Sequence, residues 1–353
     1  MQEDLLNFES IARWMSNFPD RPNTKKNYLI RFRKFISWIR KDPDTLIAEA
    51  KRNPLKIHNK LKEYYNFLIR HGLSSKTAIL SYNCVRSFFK WNDIFLGPTP
   101  RGFKGRVEYE SFHVLTPEEI AKMVDVCSNI RDKCVIVFLA QSGQRSGVLT
   151  ALRYGHVKSG LERGESPLII EVPAVLRDIN GVNVNKLGES YRFAVGNDSI
   201  VCLKMMLKER IENGETLDKN SWLFRSYSKV KVEKNGKKRP IRASKNERGM
   251  PLTTAAIREI VNKAALKAGL QGKASEKRYE IHPHIFRRYW NMRMQEAGLS
   301  EDLRDFMLGH KLPYGGAYSK WYPDAIRRVW ISKNIEKYIT IPSKTIYVSI
   351  ELL

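Results

Sequence analysis

Acidic side chains are scarce in this chain: 37 Asp and Glu stand against 62 Lys and Arg, leaving a formal charge of +25 at pH 7. That deficit points to a polyanionic partner, because lysine and arginine gain affinity by displacing counterions from phosphates. Nucleic acid is the first candidate, but an anionic membrane or a basic thermophile surface produces the same excess, so the motifs must decide. Cysteine is scarce as well. Cys84, Cys127, Cys134 and Cys202 lack C-x-x-C spacing, which argues against a zinc site or a disulfide framework and leaves buried free thiols. No apolar run is long enough to span a bilayer, and the opening MQEDLLNFES has neither a basic n-region nor an apolar h-region. A cytoplasmic, nucleoid-associated protein is therefore expected. Internal repeats and low-complexity tracts are also missing.

What remains is a chain of 353 residues, 42% apolar and 28% charged, long enough for two domains that each bury a core. From Thr24 onward, Tyr28, Leu29, Phe32, Phe35, Ile36 and Ile39 recur at helical spacing with basic residues between them. A second helix is expected over Asn59 to Arg70 and a third over Ser75 to Trp91, with Ile79, Tyr82, Val85, Phe88 and Phe89 on its apolar side. Residues 1–96 thus read as a small helical domain whose aromatics are core rather than base-stacking platforms. The Gly, Pro, Arg and Lys of residues 97–114 read as a basic linker. Thr116-Pro117-Glu118-Glu119 then supplies an N-cap, a proline at the first helical position and a capping-box glutamate, opening a second domain over 115–337.

In that second domain Cys134 to Ala140 and Gly147 to Leu152 read as helices, and Leu168 to Val172 and Tyr191 to Val195 as strands flanking an Asn185-Lys186-Leu187-Gly188 turn. Lys229 to Arg248 read as a basic loop, either solvated or touching DNA. Thr253 caps a helix to Lys267, and further helices begin near His284, Ser300 and Pro323. The expected class is mainly α with a small antiparallel sheet, an α+β arrangement.

The chemistry gathers late in the chain. His284 and Arg287, three apart on a helix, share one face and can grip one phosphate. Arg145, at the start of a helix, offers a second guanidinium. Lys186, at the tip of the expected hairpin, can donate a proton to a leaving hydroxyl. His310 can hydrogen-bond the phosphate, and Tyr318 supplies a phenol that nearby cations would help to ionise. Taken singly, each has an ordinary alternative: a surface basic pair, an exposed lysine, a surface histidine, a packed tyrosine.

In this order the residues resemble the tyrosine recombinases, or phage-type integrases. Residues 142–154, Ser-Gly-Gln-Arg-Ser-Gly-Val-Leu-Thr-Ala-Leu-Arg-Tyr, resemble the first-arginine box, and Pro283-His284-Ile285-Phe286-Arg287-Arg288-Tyr289-Trp290 the second. Leu308-Gly309-His310 resembles the LGH box, and residues 317–323 are similar to the nucleophile segment of archaeal plasmid and virus integrases. The resemblance covers about Leu115 to Lys337 and extends more weakly to Thr24 to Trp91, which is similar to the helical core-binding domain. It implies a two-domain clamp on duplex DNA, with Arg145, Arg287, His284 and His310 around the phosphate and Lys186 as proton donor to the 5′-hydroxyl. It further implies a 3′-phosphotyrosyl bond at Tyr318, no ATP, metal or other cofactor, and a homotetramer on two attachment sites, serving integration or excision of a mobile element. The tail 338–353 is then either exchanged between protomers or packed on its own domain.

The pattern departs from the family in three places. Val148 stands where an acidic residue usually follows the first arginine. Tyr318 lies eight residues after His310 instead of about nine, with Tyr314 and Tyr322 as rivals; Tyr322, beside Trp321 and Pro323, reads as packing. Arg288 replaces a common histidine. A DNA-binding regulator or decayed integrase without catalysis, and a type IB topoisomerase acting without a partner site, share these features.

Overall fold

The computed structural model describes residues 3–19, 22–103, 113–226, 228–232, 238–242, 250–271, 281–312 and 321–347. The chain divides into two compact units, Met1–Phe112 and His113–Leu353.

The first unit is helical: Glu3–Leu6, Glu9–Ser16, Pro22–Ile39, Pro43–Arg52, Pro54–Arg70 and Ser75–Lys90. Trp14, Phe32, Phe35, Tyr64, Tyr82, Phe88 and Phe89 are all fully buried, so the aromatics of this unit build its core. Trp14 sits edge-on to Phe32 and Phe88 at 5.2 and 5.5 Å between ring centroids. The expected helix at Asn59 starts earlier, at Pro54, because the Asn53 side chain accepts from the Lys56 amide and proline fits the first position. Asp42 caps Pro43–Arg52 in the same way. The start of the expected linker lies on this unit: Arg86 donates to the Gly97 carbonyl at 2.5 Å, and Phe103 stacks on Tyr65 at 3.8 Å.

The second unit is built around the helix Ile130–Ser142, buried from Cys134 through Ser142 and therefore able to pack on every side. Around it lie the helices Pro117–Asp125, Asn197–Glu212 and Pro283–Glu296 and the strand Tyr191–Val195. The Thr116 capping box forms as the sequence requires: its hydroxyl accepts from the Glu119 amide and the Glu119 carboxylate accepts from the Thr116 amide. Strands β1 (Leu168–Val172) and β2 (Tyr191–Val195) pair antiparallel, Leu168 opposite Val195. Strands β3 (Ser228–Val232) and β4 (Lys238–Arg242) form a second hairpin where a loop was expected over Lys229 to Arg248. Alternating Lys229-Val230-Lys231-Val232 explains the strand, since period-two sequences favour extended pairing; residues 233–237 and 243–249 lie outside the described ones. The fold is thus mainly α with small antiparallel sheets. Cys84, Cys134 and Cys202 are buried free thiols and Cys127 is half-buried.

Three carboxylates tie parts of this unit together, Glu215 and Asp198 buried and Asp125 half-buried. Glu215 bridges Arg210 and Arg225, each at 2.6 Å. Asp198 accepts from Gln141 at 3.0 Å and from the Ile341 amide at 2.8 Å, while Asp125 accepts from the Ser343 and Thr345 hydroxyls at 2.6 and 2.9 Å. These bonds and the buried Ile346 hold the described start of the tail to this unit, and residues 348–353 lie outside the described ones. Among the described residues no helix is long and apolar enough to cross a membrane.

Candidate active site

Two tight turns frame the site. The helix Ile130–Ser142 ends at Gly143 and the helix Glu301–Leu308 ends at Gly309, both in the left-handed conformation at φ 62°. Glycine is required at both for space as well as for φ. A Cβ at 143 would meet Trp290 at 2.9 Å, and one at 309 would meet the Tyr191 ring at 2.7 Å. Each turn delivers a basic residue, Arg145 two residues past Gly143 and His310 directly after Gly309.

Arg287 bridges the two turns from the helix Pro283–Glu296. Its guanidinium donates to the Gly143 carbonyl at 3.1 Å and to the Leu308 carbonyl at 2.6 Å, and its Nη2 lies 2.7 Å from His310 Nε2. The other nitrogen of that imidazole, Nδ1, lies 2.7 Å from the Asp305 carboxylate. Burial, and secondarily the charge of Arg145, push the Arg287 pKa down to about 10, so it remains a cation at neutral pH. The pKa of His284, in the first turn of the same helix, is lowered by partial desolvation of its ring and then by the charges of Arg287, His282, Arg145 and Arg288. Arg145, Arg287 and His284 therefore feel one another's charge.

The structure brings Arg287 and His310 into direct contact, and Arg145 and Arg287 lie near enough to His284 for their charges to lower its pKa. Arg145 occupies the cap position of Ser146–Ala151, as expected at the start of a helix, and among the described residues its guanidinium has no hydrogen-bond partner. Val148 faces the core instead, 1% exposed. Lys186 is exposed and makes no described contact with the other four. It does not sit at a hairpin tip. The β1–β2 connection runs over 173–190 and reverses at Asp178 to Gly181, where the Asp178 carboxylate accepts from the Asn180 and Val182 amides. Lys186 lies on the returning arm beside Asn185, whose side chain donates to Pro173 and Glu189 and accepts from the Leu187 amide. Val184, two residues earlier, packs near Gly147, which brings this arm toward the Arg145 turn.

Tyr318 and Tyr314 lie outside the described residues. Tyr322 is described, and the expectation that it packs fails: it is 57% exposed at the cap of Pro323–Ser332, while Trp321 takes the place against the core.

Three residues at the site carry roles that pattern alone did not assign. Tyr191 donates to Gln144 Oε1 at 2.9 Å, and the Gln144 amide donates to the Met307 carbonyl at 2.8 Å, stitching β2 and both glycine turns together. Asp305 holds His310. Their signal in the sequence is proximity alone, Gln144 beside Arg145 and Asp305 one helical turn ahead of His310.

A scan against protein families matches residues 113–313 to the phage integrase family. The chain belongs to that family. A search of curated proteins finds no match. Among solved structures, the integrase-family fold is shared with the Tn1549 transposon integrase in complex with a circular intermediate DNA, at 15% identity and a TM-score of 0.54 over 92% of this chain and 99% of that one. It is also shared with the XerH site-specific recombinase bound to a palindromic difH substrate, at 15% identity and 0.51 over 88% and 78%.

Proposed function

We propose that the protein is a site-specific DNA recombinase that breaks and rejoins strands through a covalent 3′-phosphotyrosyl intermediate, integrating or excising a mobile element. The observation that carries this is Arg287, a buried guanidinium fixed between the two glycine turns and in contact with His310. Its pKa is depressed by burial and then by the charge of Arg145. A phosphodiester relieves both costs, and more so as negative charge grows on its oxygens in the transition state. Membership of the phage integrase family supports the same reading.

In this reading Arg145, Arg287, His284 and His310 surround the phosphate, Lys186 protonates the departing 5′-hydroxyl, and Tyr318 attacks. The phosphotyrosyl bond keeps the energy of the broken phosphodiester for the next strand. Double-stranded attachment sites are the partner, and the working assembly is a homotetramer on two of them. A DNA-binding protein without catalysis is the second reading, favoured by Val148, which leaves Arg145 without the usual acidic support.

Peptide mapping by mass spectrometry after trapping on a nicked suicide duplex tests both. An adduct on the peptide carrying Tyr318, lost in Tyr318→Phe, is expected; an adduct at Tyr314 or Tyr322 reassigns the nucleophile. Binding without any adduct rejects the recombinase in favour of the second reading.

A further inference from the structure

We propose that Asp305 is a positioning residue for His310, holding its imidazole in the Nδ1–H tautomer with Nε2 turned to the phosphate position beside Arg287. This deepens the recombinase reading and rests on it for its functional half. Arginine has donors only, so the 2.7 Å contact from Arg287 Nη2 makes His310 Nε2 the acceptor. The ring proton then resides on Nδ1, which faces the Asp305 carboxylate at 2.7 Å, a group that, ionised, can accept but not donate.

The geometry comes from local sequence. Asp305 lies in the last turn of Glu301–Leu308, the left-handed Gly309 reverses the chain, and the His310 amide bonds back to the Asp305 carbonyl at 2.9 Å. One short turn therefore places carboxylate and imidazole side by side. The side chains are 34% and 40% exposed. They are open enough to meet a substrate, and too exposed for the pair to contribute much to the fold. With Nδ1–H occupied, Nε2 can exchange a proton with the reacting groups once Arg287 turns its donor from that nitrogen to the phosphate. When that nitrogen gains a proton, the Asp305 carboxylate stabilises the resulting imidazolium, the orienting role a carboxylate plays for a catalytic histidine generally.

The tautomer is read directly by long-range 1H–15N correlation on the full chain with labelled histidine, without DNA, at about pH 8, above the ordinary imidazole range. His310→Gln identifies the signal. The expected pattern is a protonated Nδ1 and a bare Nε2 in the wild type, shifting toward Nε2–H in Asp305→Ala. An Nε2–H wild type, or an unchanged pattern in the variant, overturns the assignment. For function, adduct formation is followed on a nicked duplex carrying a binding site selected from random DNA. Asp305→Ala is expected to slow it about tenfold, the loss of roughly one charged hydrogen bond, with DNA affinity and melting temperature unchanged. Asp305→Glu, which keeps the carboxylate, should recover part of the rate. An undiminished rate in Asp305→Ala overturns the positioning role. A wild type that forms no adduct, yet shows the expected tautomer, rejects the recombinase reading and leaves the hold of Asp305 on His310 supported.

Discussion

Replacing Gly309 by alanine should damage the second unit far more than the same change at another left-handed glycine. Two costs add at position 309. A non-glycine residue at φ 62° pays about 1–2 kcal/mol for its Cβ against the following carbonyl. That Cβ would also lie 2.7 and 2.8 Å from ring carbons of Tyr191, a buried side chain tethered through its hydroxyl to Gln144 at 2.9 Å. The ring cannot retreat without losing that bond, so overpacking adds about 1–3 kcal/mol, for a total of about 2–5 kcal/mol. Gly164 is the control: its φ is +65°, and nothing lies within 4 Å of an added Cβ, so Gly164→Ala should cost the conformational term alone, about 1–2 kcal/mol. Urea unfolding of the full chain gives the comparison, with the wild type as the reference for both variants. Equal destabilisation at 309 and 164 would refute the claim that Tyr191 closes the space over the LGH turn.

Glu215→Gln should cost about 3–5 kcal/mol in the same assay, because it strips the counter-charge from buried Arg210 and Arg225. Thr116→Ala should remove the capping box at a cost of about 1 kcal/mol, seen as a lower urea midpoint for the second unit. Asp125 has a depressed pKa: burial acts against this, and the hydrogen bonds from Ser343 and Thr345 outweigh it. A carboxyl depressed in the folded chain contributes stability above its unfolded value, near ~3.9, and loses it as pH falls through the folded one. Protection of the Thr345 amide, corrected for intrinsic exchange, should therefore hold at pH 5 and above and drop below about pH 4, a drop that Asp125→Ala removes by abolishing protection throughout.

Much of this architecture was legible because local chemistry dictates it. Thr116-Pro117-Glu118-Glu119 specifies a helix start whatever surrounds it, and β1 and β2 fall on the residues that alternation and branching mark. The connection between those strands was misjudged, since Asn185-Lys186-Leu187-Gly188 is turn-rich yet serves as a strap along the returning arm. The reversal belongs to Asp178-Ile179-Asn180-Gly181, an equally plain turn signal. Arg287 and His310 announce themselves by motif. Gln144, Tyr191 and Asp305 do not, because their work depends on two turns 166 residues apart in sequence, Gly143 and Gly309, being brought together by one guanidinium.

That guanidinium carries a consequence for how such genes decay. On the proposed recombinase reading, a copy that has lost every use for DNA cleavage would still be penalised for losing Arg287, since the fold loses its clasp. Lys186, exposed and outside the described hydrogen-bond network, bears no such structural obligation. Persistence of the arginine in a relative therefore says little by itself about whether that relative cuts DNA.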